Sequence, residues 1–223
     1  MQSTTTSLRD FARLLPASTR VFLRHHLDFC CGGKQTLAEA CAKAALDPNA
    51  VLAEIESEIS RGASSERRWD NRSQVELADH IEQHYHAALR RNLPSLIEAA
   101  RKVERVHAAK ESVPKGLADV LERFANDMEA HMQKEERVLF PMLRRGARGP
   151  MVAMPVSVME SEHDSHAEEL AEIRRLTDNL TLPAEACATW RALYNGLENL
   201  EAELMQHIHL ENNILFARAT ASA

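Results

Sequence analysis

One ten-residue pattern occurs twice in this chain and constrains its fold more than any other feature. It reads H-x-x-x-E-x-x-[VI]-L-F, once from His131 to Phe140 and once from His207 to Phe216. On an α-helix, a His and a Glu four residues apart lie on one face, where both can reach the same metal ion. The repeat therefore predicts two helices that each present a His–Glu pair to a shared interior.

A further histidine precedes each copy at nearly the same interval. His86 lies 45 residues before His131, and His163 lies 44 residues before His207. This spacing predicts a helical hairpin that occurs twice, and two such hairpins packed about a pseudo-two-fold axis form a four-helix bundle. Four imidazoles and two carboxylates would then face one interior, which suits two metal ions with bridging carboxylates. The predicted ligands are His86, His131, Glu135, His163, His207 and Glu211.

A single H-x-x-x-E segment on a helix is more often an ion pair at the surface, or a histidine hydrogen-bonded to its neighbours, than a metal site. Here, however, each Glu is followed by apolar residues at the third, fourth and fifth positions, which indicates burial. A buried carboxylate without a partner is costly, so the duplication favours a metal site. Imidazole and carboxylate ligands without thiolate favour non-haem iron or manganese over structural zinc. Ligand type alone leaves iron and manganese both open.

The composition predicts an all-α protein without strands. Among 223 residues there are only 7 glycines and 8 prolines, aromatic residues amount to 4%, and helix-favouring residues fill long runs. The formal net charge is -6 and the basic residues are interleaved with acidic ones, which argues against a nucleic-acid surface. No leader-like segment and no run of about 18 apolar residues occurs, so we expect a cytoplasmic protein without a membrane segment.

Two domains are predicted. Residues 1–62 form a small helical domain, in which helices are parted near Pro16 and begin after Thr36 and Asp47. A polar linker is predicted between about residues 61 and 72. The bundle then occupies residues 73–220.

The sequence also predicts a disturbance in the first bundle helix and the starts of the third and fourth helices. Pro94 is expected to kink or restart the first helix, because proline lacks the N–H that the helix needs. The third helix is predicted from about Val156, and the fourth from Pro183 or Ala184.

Adjacent cysteines, Cys30 and Cys31, lie in a loop with paired glycines. Neighbouring cysteines rarely bond to each other, whereas Lys34 and the helix N-terminus that follows would favour thiolate. We interpret them as a nucleophilic or metal-handling pair; the alternative is two small residues packed in a tight loop. The remaining two, Cys41 and Cys187, stand alone, so reduced thiols are expected rather than a disulfide framework.

Several segments together resemble a known family, and they span essentially the whole chain. They are DFCCGGKQTL at 28–37, KVERVH at 102–107, SVPKGL at 112–117, HMQKEE at 131–136, VMESEHD at 158–164 and HIHLENN at 207–213. The sequence resembles the iron-sulfur cluster repair family, hemerythrin-like di-iron proteins with an N-terminal Cys-Cys domain. The resemblance implies two non-haem irons with oxo and carboxylate bridges, held by the same six residues that the repeat selects.

The resemblance implies that oxygen-carrying hemerythrins have one more histidine, at the position where this chain has Ala167. Either one iron keeps an open position or His107, which lies in the KVERVH segment, supplies a seventh ligand; a capping or surface role for His107 is the alternative. Glu160 and Glu162 are predicted to be polar surface residues rather than groups that steer protons or iron. The other histidines are expected to be solvated or hydrogen-bonded to a ligand carboxylate, namely His25, His26, His80, His84, His166 and His209.

The resemblance implies repair of iron-sulfur clusters damaged by nitric oxide or oxidants, with the di-iron centre binding or supplying iron and the thiol pair assisting transfer. Damaged iron-sulfur proteins would be the partners, and nitric oxide or dioxygen the small ligands. The alternative is an enzymatic reduction of nitric oxide to nitrous oxide at the di-iron centre. A gas sensor or carrier is less favoured, because the last helix departs from that of the carriers. The oligomeric state, including a homodimer, stays open.

Overall fold

A computed structural model describes residues 2–61 and 68–221. Residues 62–67, the centre of the predicted linker, lie outside the described residues. Within the described ranges every regular element is helical, and the one β-type contact is an isolated antiparallel bridge between Ser7 and Thr36. The prediction of an all-α protein is therefore confirmed. None of the helices in these ranges combines the length and apolar composition needed to cross a membrane.

Four short helices form the N-terminal unit, and their starts follow from local capping. The side chain of Thr36 accepts a hydrogen bond from the backbone N–H of Glu39, and the Glu39 carboxylate reaches back to Thr36. The carboxylate of Asp47 caps the next helix, which begins with Pro48 as its first residue. These helices are α1 Leu8–Leu14, α2 Ser18–Arg24, α3 Leu37–Lys43 and α4 Pro48–Ser60.

Four long helices form the bundle, and three of them contain a π-helical turn. We name each uninterrupted run as one helix. They are α5 (Gln74–His80, the π-turn Ile81–His86, Ala87–Val106), α6 (Leu117–Lys134, the π-turn Glu135–Leu139, Phe140–Arg144), α7 (Pro150–Leu176) and α8 (Ala188–Leu210, the π-turn Glu211–Phe216, Ala217–Thr220).

The predicted restart of the helix at Pro94 is wrong, because α5 runs through this residue. A proline inside a helix costs about 3 kcal/mol. Leu89, Leu93 and Leu96 flank it and are all buried in the bundle core. Each such side chain contributes about 1.5–3 kcal/mol on burial, so packing outweighs the lost hydrogen bond.

The predicted starts of the last two helices also differ from the structure. Helix α7 begins at Pro150 rather than near Val156, because a proline at the first helical position loses no hydrogen bond. Helix α8 begins at Ala188, later than predicted, with Cys187 in an extended conformation as its N-cap.

The apolar core of the bundle is divided by a polar layer. One buried cluster includes Leu93, Phe124 and Trp190, and a second includes Ile81, Phe140 and Phe216. On every bundle helix the predicted metal ligands lie in the stretch where residues of the first cluster give way to residues of the second. Apolar side chains therefore close the polar layer from both ends, which excludes water from it.

The N-terminal unit packs directly on α8. The ring of Phe29 lies 5.6 Å from that of His209, and the amide nitrogen of Asn213 donates to the backbone oxygens of Phe29 at 3.1 Å and Cys30 at 3.3 Å. The prediction that His209 is solvated or bonded to a ligand carboxylate is wrong, because His209 is buried in this contact. The contact fixes the position of the cysteine loop on the bundle.

We expect Asn213→Ala to loosen the cysteine loop, since it removes both side-chain hydrogen bonds to the loop backbone. Two such bonds contribute about 1–3 kcal/mol together. The measurement is hydrogen exchange of residues 29–33, which should become faster, while exchange in α6 stays unchanged. Asn199→Ala, an exposed asparagine on the same helix, is the matched control. Equal loop exchange in both variants would contradict the prediction.

Candidate metal centre

Six side chains from the four bundle helices meet in the polar layer between the two apolar clusters. Each of them is at most 1% exposed, which is unusual for ionisable groups. They form two groups, and within each group the ligand atoms all lie within 4.8 Å of one another. One group is His86, Glu135, His207 and Glu211, and the other is His131, Glu135, His163 and Glu211. Both groups share the two carboxylates.

The imidazole nitrogens and the carboxylate oxygens converge at short distances. The Oε2 atom of Glu135 lies 3.3 Å from His86 Nε2 and 3.4 Å from His131 Nε2. The carboxylate of Glu211 lies 3.1 Å from His163 Nε2 and 3.0 Å from His207 Nε2. Each Glu thus lies between two imidazoles, as a bridging carboxylate would.

The outer nitrogens of three imidazoles are held by hydrogen bonds. Nδ1 of His86 donates to Glu136 at 2.8 Å, and Nδ1 of His131 donates to Glu162 at 2.9 Å. Nδ1 of His163 lies 2.8 Å from the Oδ1 atom of Asn212. A carboxylate only accepts, so Nδ1 carries the hydrogen and Nε2 directs a lone pair inward.

Those lone pairs provide a test of whether metal ions fit. Nε2 of His163 and Nε2 of His131 face each other at 3.2 Å, although neither has a hydrogen to share in this tautomer. Nε2 of His86, both oxygens of Glu135 and one oxygen of Glu211 have no hydrogen-bond partner. Buried polar atoms without partners are rare. Cations between them would satisfy all of these atoms at once, so the residues fit a metal centre.

Charge leads to the same conclusion. Burial and the nearby Glu211 carboxylate raise the pKa of Glu135 well above its usual value. Burial also raises the pKa of Glu211, but His207 and His163 outweigh it and leave this pKa well below its usual value. The two buried carboxyl groups therefore do not both ionise without cations. Bound cations would allow both to be charged.

The residues that contact the outer nitrogens or rings of the ligand histidines also follow the internal repeat. The sequence analysis did not identify this second repeated set. Glu136 and Asn212 each come directly after a ligand Glu, and each contacts the first-helix histidine of its own hairpin. Glu162 and Tyr85 each come directly before a ligand His. Glu162 binds His131, whereas the Tyr85 ring stacks on the equivalent His207 at 5.4 Å. Aligning the two halves of the sequence could have revealed these positions.

One half of the repeat has the aromatic Tyr85 where the other half has the carboxylate Glu162. This difference makes the two halves of the centre unequal. Nδ1 of His207 has no hydrogen-bond partner, while Nδ1 of His131 has a carboxylate. The prediction that Glu162 is only a polar surface residue is therefore wrong, because its carboxylate holds a predicted ligand. Its neighbour Glu160 is exposed, as predicted.

We expect Glu162→Gln to weaken metal binding about tenfold or more, the usual cost of removing such a supporting carboxylate. The amide cannot accept as strongly from His131 Nδ1 and lowers the basicity of Nε2. Glu160→Gln, two residues away and exposed, is the matched control and should bind as the parent does. Competition with a chelator of known affinity measures the difference. Indistinguishable affinities for the two variants would refute the role of Glu162.

The cysteine loop lies against the helix that carries His163. The Cys31 sulfur is 3.9 Å from the backbone oxygen of His163. The sulfur atoms of Cys30 and Cys31 are also 3.9 Å apart. The predicted thiolate is wrong for Cys30. Its hydrogen bond with Cys31, its burial and the Asp28 carboxylate 3.2 Å away all raise its pKa well above the usual value. Lys34 is exposed and forms none of the loop's hydrogen bonds.

The structure does not bring His107 to the other six residues. It ends helix α5, and its Nε2 atom lies 3.3 Å from the sulfur of Cys187. The continuous α-helix Ala87–Val106 lies between His86 and His107, so at 1.5 Å per residue the two are about 30 Å apart. His107 is therefore too far from these six residues to share a metal ion with them.

The remaining histidines differ in their surroundings. His25 pairs with Glu54 at 3.0 Å, and His26 is exposed, as expected for solvated residues. His80 stacks between Trp69 and His84. The expectation is wrong for His166, which is buried with its ring edge against His131 and its Nδ1 facing Glu169 rather than a ligand carboxylate.

A four-helix bundle that holds shared carboxylates and imidazoles between its helices defines the class of hemerythrin-like cation-binding proteins. Comparison with known families agrees, since residues 76–219 match the family described as "Hemerythrin HHE cation binding domain". Residues 4–59 match a separate domain of unknown function, DUF542.

Curated relatives define the particular family. Proteins named iron-sulfur cluster repair protein YtfE are 50% identical over 216 residues in Cronobacter sakazakii, 47% over 214 residues in Citrobacter koseri and 47% over 216 residues in Escherichia coli O81. Each alignment covers 96% of this chain and 96% of the relative. The chain belongs to the iron-sulfur cluster repair protein family.

Proposed function

We propose that this chain holds two non-haem irons and uses them to restore iron-sulfur clusters damaged by nitric oxide or oxidants. The observation that carries the proposal is the pair of ligand groups that share Glu135 and Glu211. Each group offers two imidazoles and two carboxylates without thiolate, a set suited to non-haem iron. When bound, two irons would supply Lewis-acid and one-electron chemistry to a small ligand.

The protein residues have separate tasks in this proposal. Glu135 and Glu211 would bridge, while Glu136, Glu162 and Asn212 hold the imidazoles in the tautomer that faces inward. The apolar clusters on both sides keep water out. Four protein ligands in each group leave coordination positions open for small molecules, because iron in such bundles takes up to six ligands.

In this proposal the thiol pair assists iron transfer. The Cys31 sulfur contacts the backbone of His163, so iron that leaves the centre on this side would meet the loop. Cys30 is kept protonated by its surroundings. A soft cation at the loop would displace that proton, since the thiolate is the form that binds metal. The proposed partner is an iron-sulfur protein with a damaged cluster, in the reducing cytoplasm.

Isotopically labelled iron tests the proposal. The chain loaded with labelled iron is mixed with an iron-sulfur enzyme whose cluster has been damaged by nitric oxide, and both recovered activity and label in the enzyme are measured. We expect recovery together with stoichiometric label. Recovery without label would reject iron donation while leaving repair intact, and no recovery at all would reject both.

The open positions also support a second candidate, the reduction of nitric oxide. Its overall balance is two nitric oxide molecules, two protons and two electrons to one nitrous oxide and one water. The reduced, iron-loaded chain would consume nitric oxide and release nitrous oxide in a ratio of two to one. Tight binding of nitric oxide without nitrous oxide release would reject this candidate in favour of a gas-binding role.

A further inference from the structure

A second cluster of reactive side chains lies at the far end of the bundle. Nε2 of His107 and the sulfur of Cys187 are 3.3 Å apart, although 80 residues separate them in the chain. Cys187 precedes His207 by 20 residues on α8, which places the pair about 30 Å from the metal centre at 1.5 Å per residue. Chemistry at this pair is therefore independent of the bound metal.

Two helix ends meet at this pair with opposite polarity. His107 is the C-cap of α5, where the helix dipole favours a positive charge, and Cys187 is the N-cap of α8, where it favours a negative charge. The hydrogen bond from His107, together with those from the backbone N–H groups of Trp190 and Thr189, lowers the pKa of Cys187 to about 7. The fold thus supports a thiolate within hydrogen-bond distance of the His107 ring.

The ring of His107 is also held in place. It packs at 5.1 Å from the ring of Trp190, which is fully buried. A nucleophile, a base within hydrogen-bond reach and a group that orients the base are the arrangement that activates cysteine in proteins. Here two distant parts of the chain, the end of α5 and the start of α8, supply these three roles.

The charged residues closest to the pair in the sequence make hydrogen bonds of their own. Glu185 accepts a hydrogen bond from Ser112 at 2.7 Å, and Arg191 donates to the backbone oxygen of Ala186 at 3.2 Å. The pKa of Glu185 is lowered chiefly by the hydrogen bond from Ser112, and to a smaller extent by a backbone N–H, by Lys110 on the loop after α5 and by His107. Among the described residues, His107 is thus the ionisable side chain that contacts the thiol.

The two buried cysteines lack this environment. Cys41 is fully buried, and burial raises its pKa. Cys30 is buried beside a carboxylate, which raises its pKa as well. Cys187 is partly exposed at the surface, so a small molecule can reach its sulfur.

We propose that Cys187 and His107 form a thiol–disulfide exchange site for low-molecular-weight disulfides. The Cys187 sulfur, whose proton has moved to His107, attacks one sulfur of the small disulfide and forms a mixed disulfide with it. The S–S bond of the small disulfide breaks, and its other sulfur leaves as thiolate and takes the proton from His107. Cys187 is oxidised, half of the small disulfide is reduced, and excess small thiol reverses the step.

The test follows each cysteine by peptide mass spectrometry after short exposure of the full chain to glutathione disulfide between pH 6 and pH 10. We expect the peptide with Cys187 to gain one glutathione, with a rate that follows an apparent pKa of about 7. The peptide with Cys41 serves as the unreactive internal control. Modification of Cys187 only above about pH 8.5, the ordinary thiol value, would overturn the proposal.

Replacement of the imidazole gives a second signature. With an ordinary pKa of about 8.5 for the thiol, His107→Gln should react about sixfold more slowly at pH 6 and about fivefold faster at pH 10, because nucleophilicity rises with pKa. A blocked or unfolded site would shift the rate in the same direction at all pH values. Lys110→Ala, on the same loop, is the matched control and should keep the parent profile.

Iron content separates this site from the proposed metal function. His107→Gln and Cys187→Ser should bind iron as the parent does, since both lie far from the ligand groups. Parallel pH profiles for His107→Gln and the parent would reject the role of His107. Loss of iron in His107→Gln to the extent seen when His131 is replaced would also reject the proposal, because His107 would then serve the metal.

Discussion

Glu135→Leu is expected to lower bound iron from two ions per chain to at most one, because it removes a carboxylate that both ligand groups share. Glu211→Leu should have the same effect for the same reason. Iron is measured by atomic absorption after loading with ferrous iron and desalting. Full loading of either variant would show that the replaced carboxylate does not bridge.

Stability gives an independent view of the same change. A metal that binds only the folded chain stabilises it by about 4 kcal/mol at a free concentration a thousandfold above the dissociation constant. For a chain of this length that corresponds to a rise in Tm of about 10 °C. We expect this rise in the parent, and a much smaller one in Glu135→Leu. Thermal unfolding by circular dichroism, with and without iron, provides the measurement.

Without metal, the order of stability of the two proteins should be reversed. Without cations, the parent buries a carboxyl group whose pKa is raised, and replacing it with an apolar side chain of similar size is often neutral or stabilising. Metal-free Glu135→Leu should therefore be at least as stable as the metal-free parent. Glu98→Leu, at a glutamate that is 73% exposed, is the control and should change neither iron content nor the metal-dependent rise in Tm.

The double variant Cys30→Ser, Cys31→Ser is expected to keep both irons but to lose most repair activity. Serine is similar in size to cysteine, and the loop stays attached through Asn213 and through the bonds from Cys30, Cys31 and Gly32 backbone N–H groups to Asp28. The hydroxyl groups do not bind iron as thiolates do. Structure and function should thus separate in this variant.

The measurement is recovery of a nitric-oxide-damaged iron-sulfur enzyme, with iron content and the visible spectrum determined on the same sample. Cys41→Ser, in the core of the N-terminal unit and outside the Cys30–Cys31 pair, is the matched control for a lost thiol. If the double variant repairs as fast as the parent, the thiols only pack the loop, and the bundle acts without them.

The periodic features of this protein could be derived from its sequence. Helical composition and cap residues such as Thr36 and Asp47 act through local contacts, so they predicted the all-α fold and several helix starts. The repeated His and Glu spacing also follows from helix geometry alone. It selected the six side chains that the structure brings together.

Features that depend on contacts between distant segments were decided only by the tertiary structure. The pKa of Cys30 is raised by its hydrogen bond with Cys31, by its burial and by Asp28, and of these three causes the burial comes from packing against the bundle. The pairing of His107 with Cys187 depends on which helix ends meet. Likewise, α5 continues through Pro94 because core packing outweighs the local cost of a proline.

The π-turns show most directly what the sequence predicts and what the tertiary structure decides. Three bundle helices widen by one residue at or next to the ligands, and no residue type in the sequence marks these turns. Such turns cost helical hydrogen-bond geometry and are common at functional sites. A helix accepts them only where side chains from other helices fix the geometry. Local sequence determined which residues could serve as ligands, and packing between the helices decided how they converge.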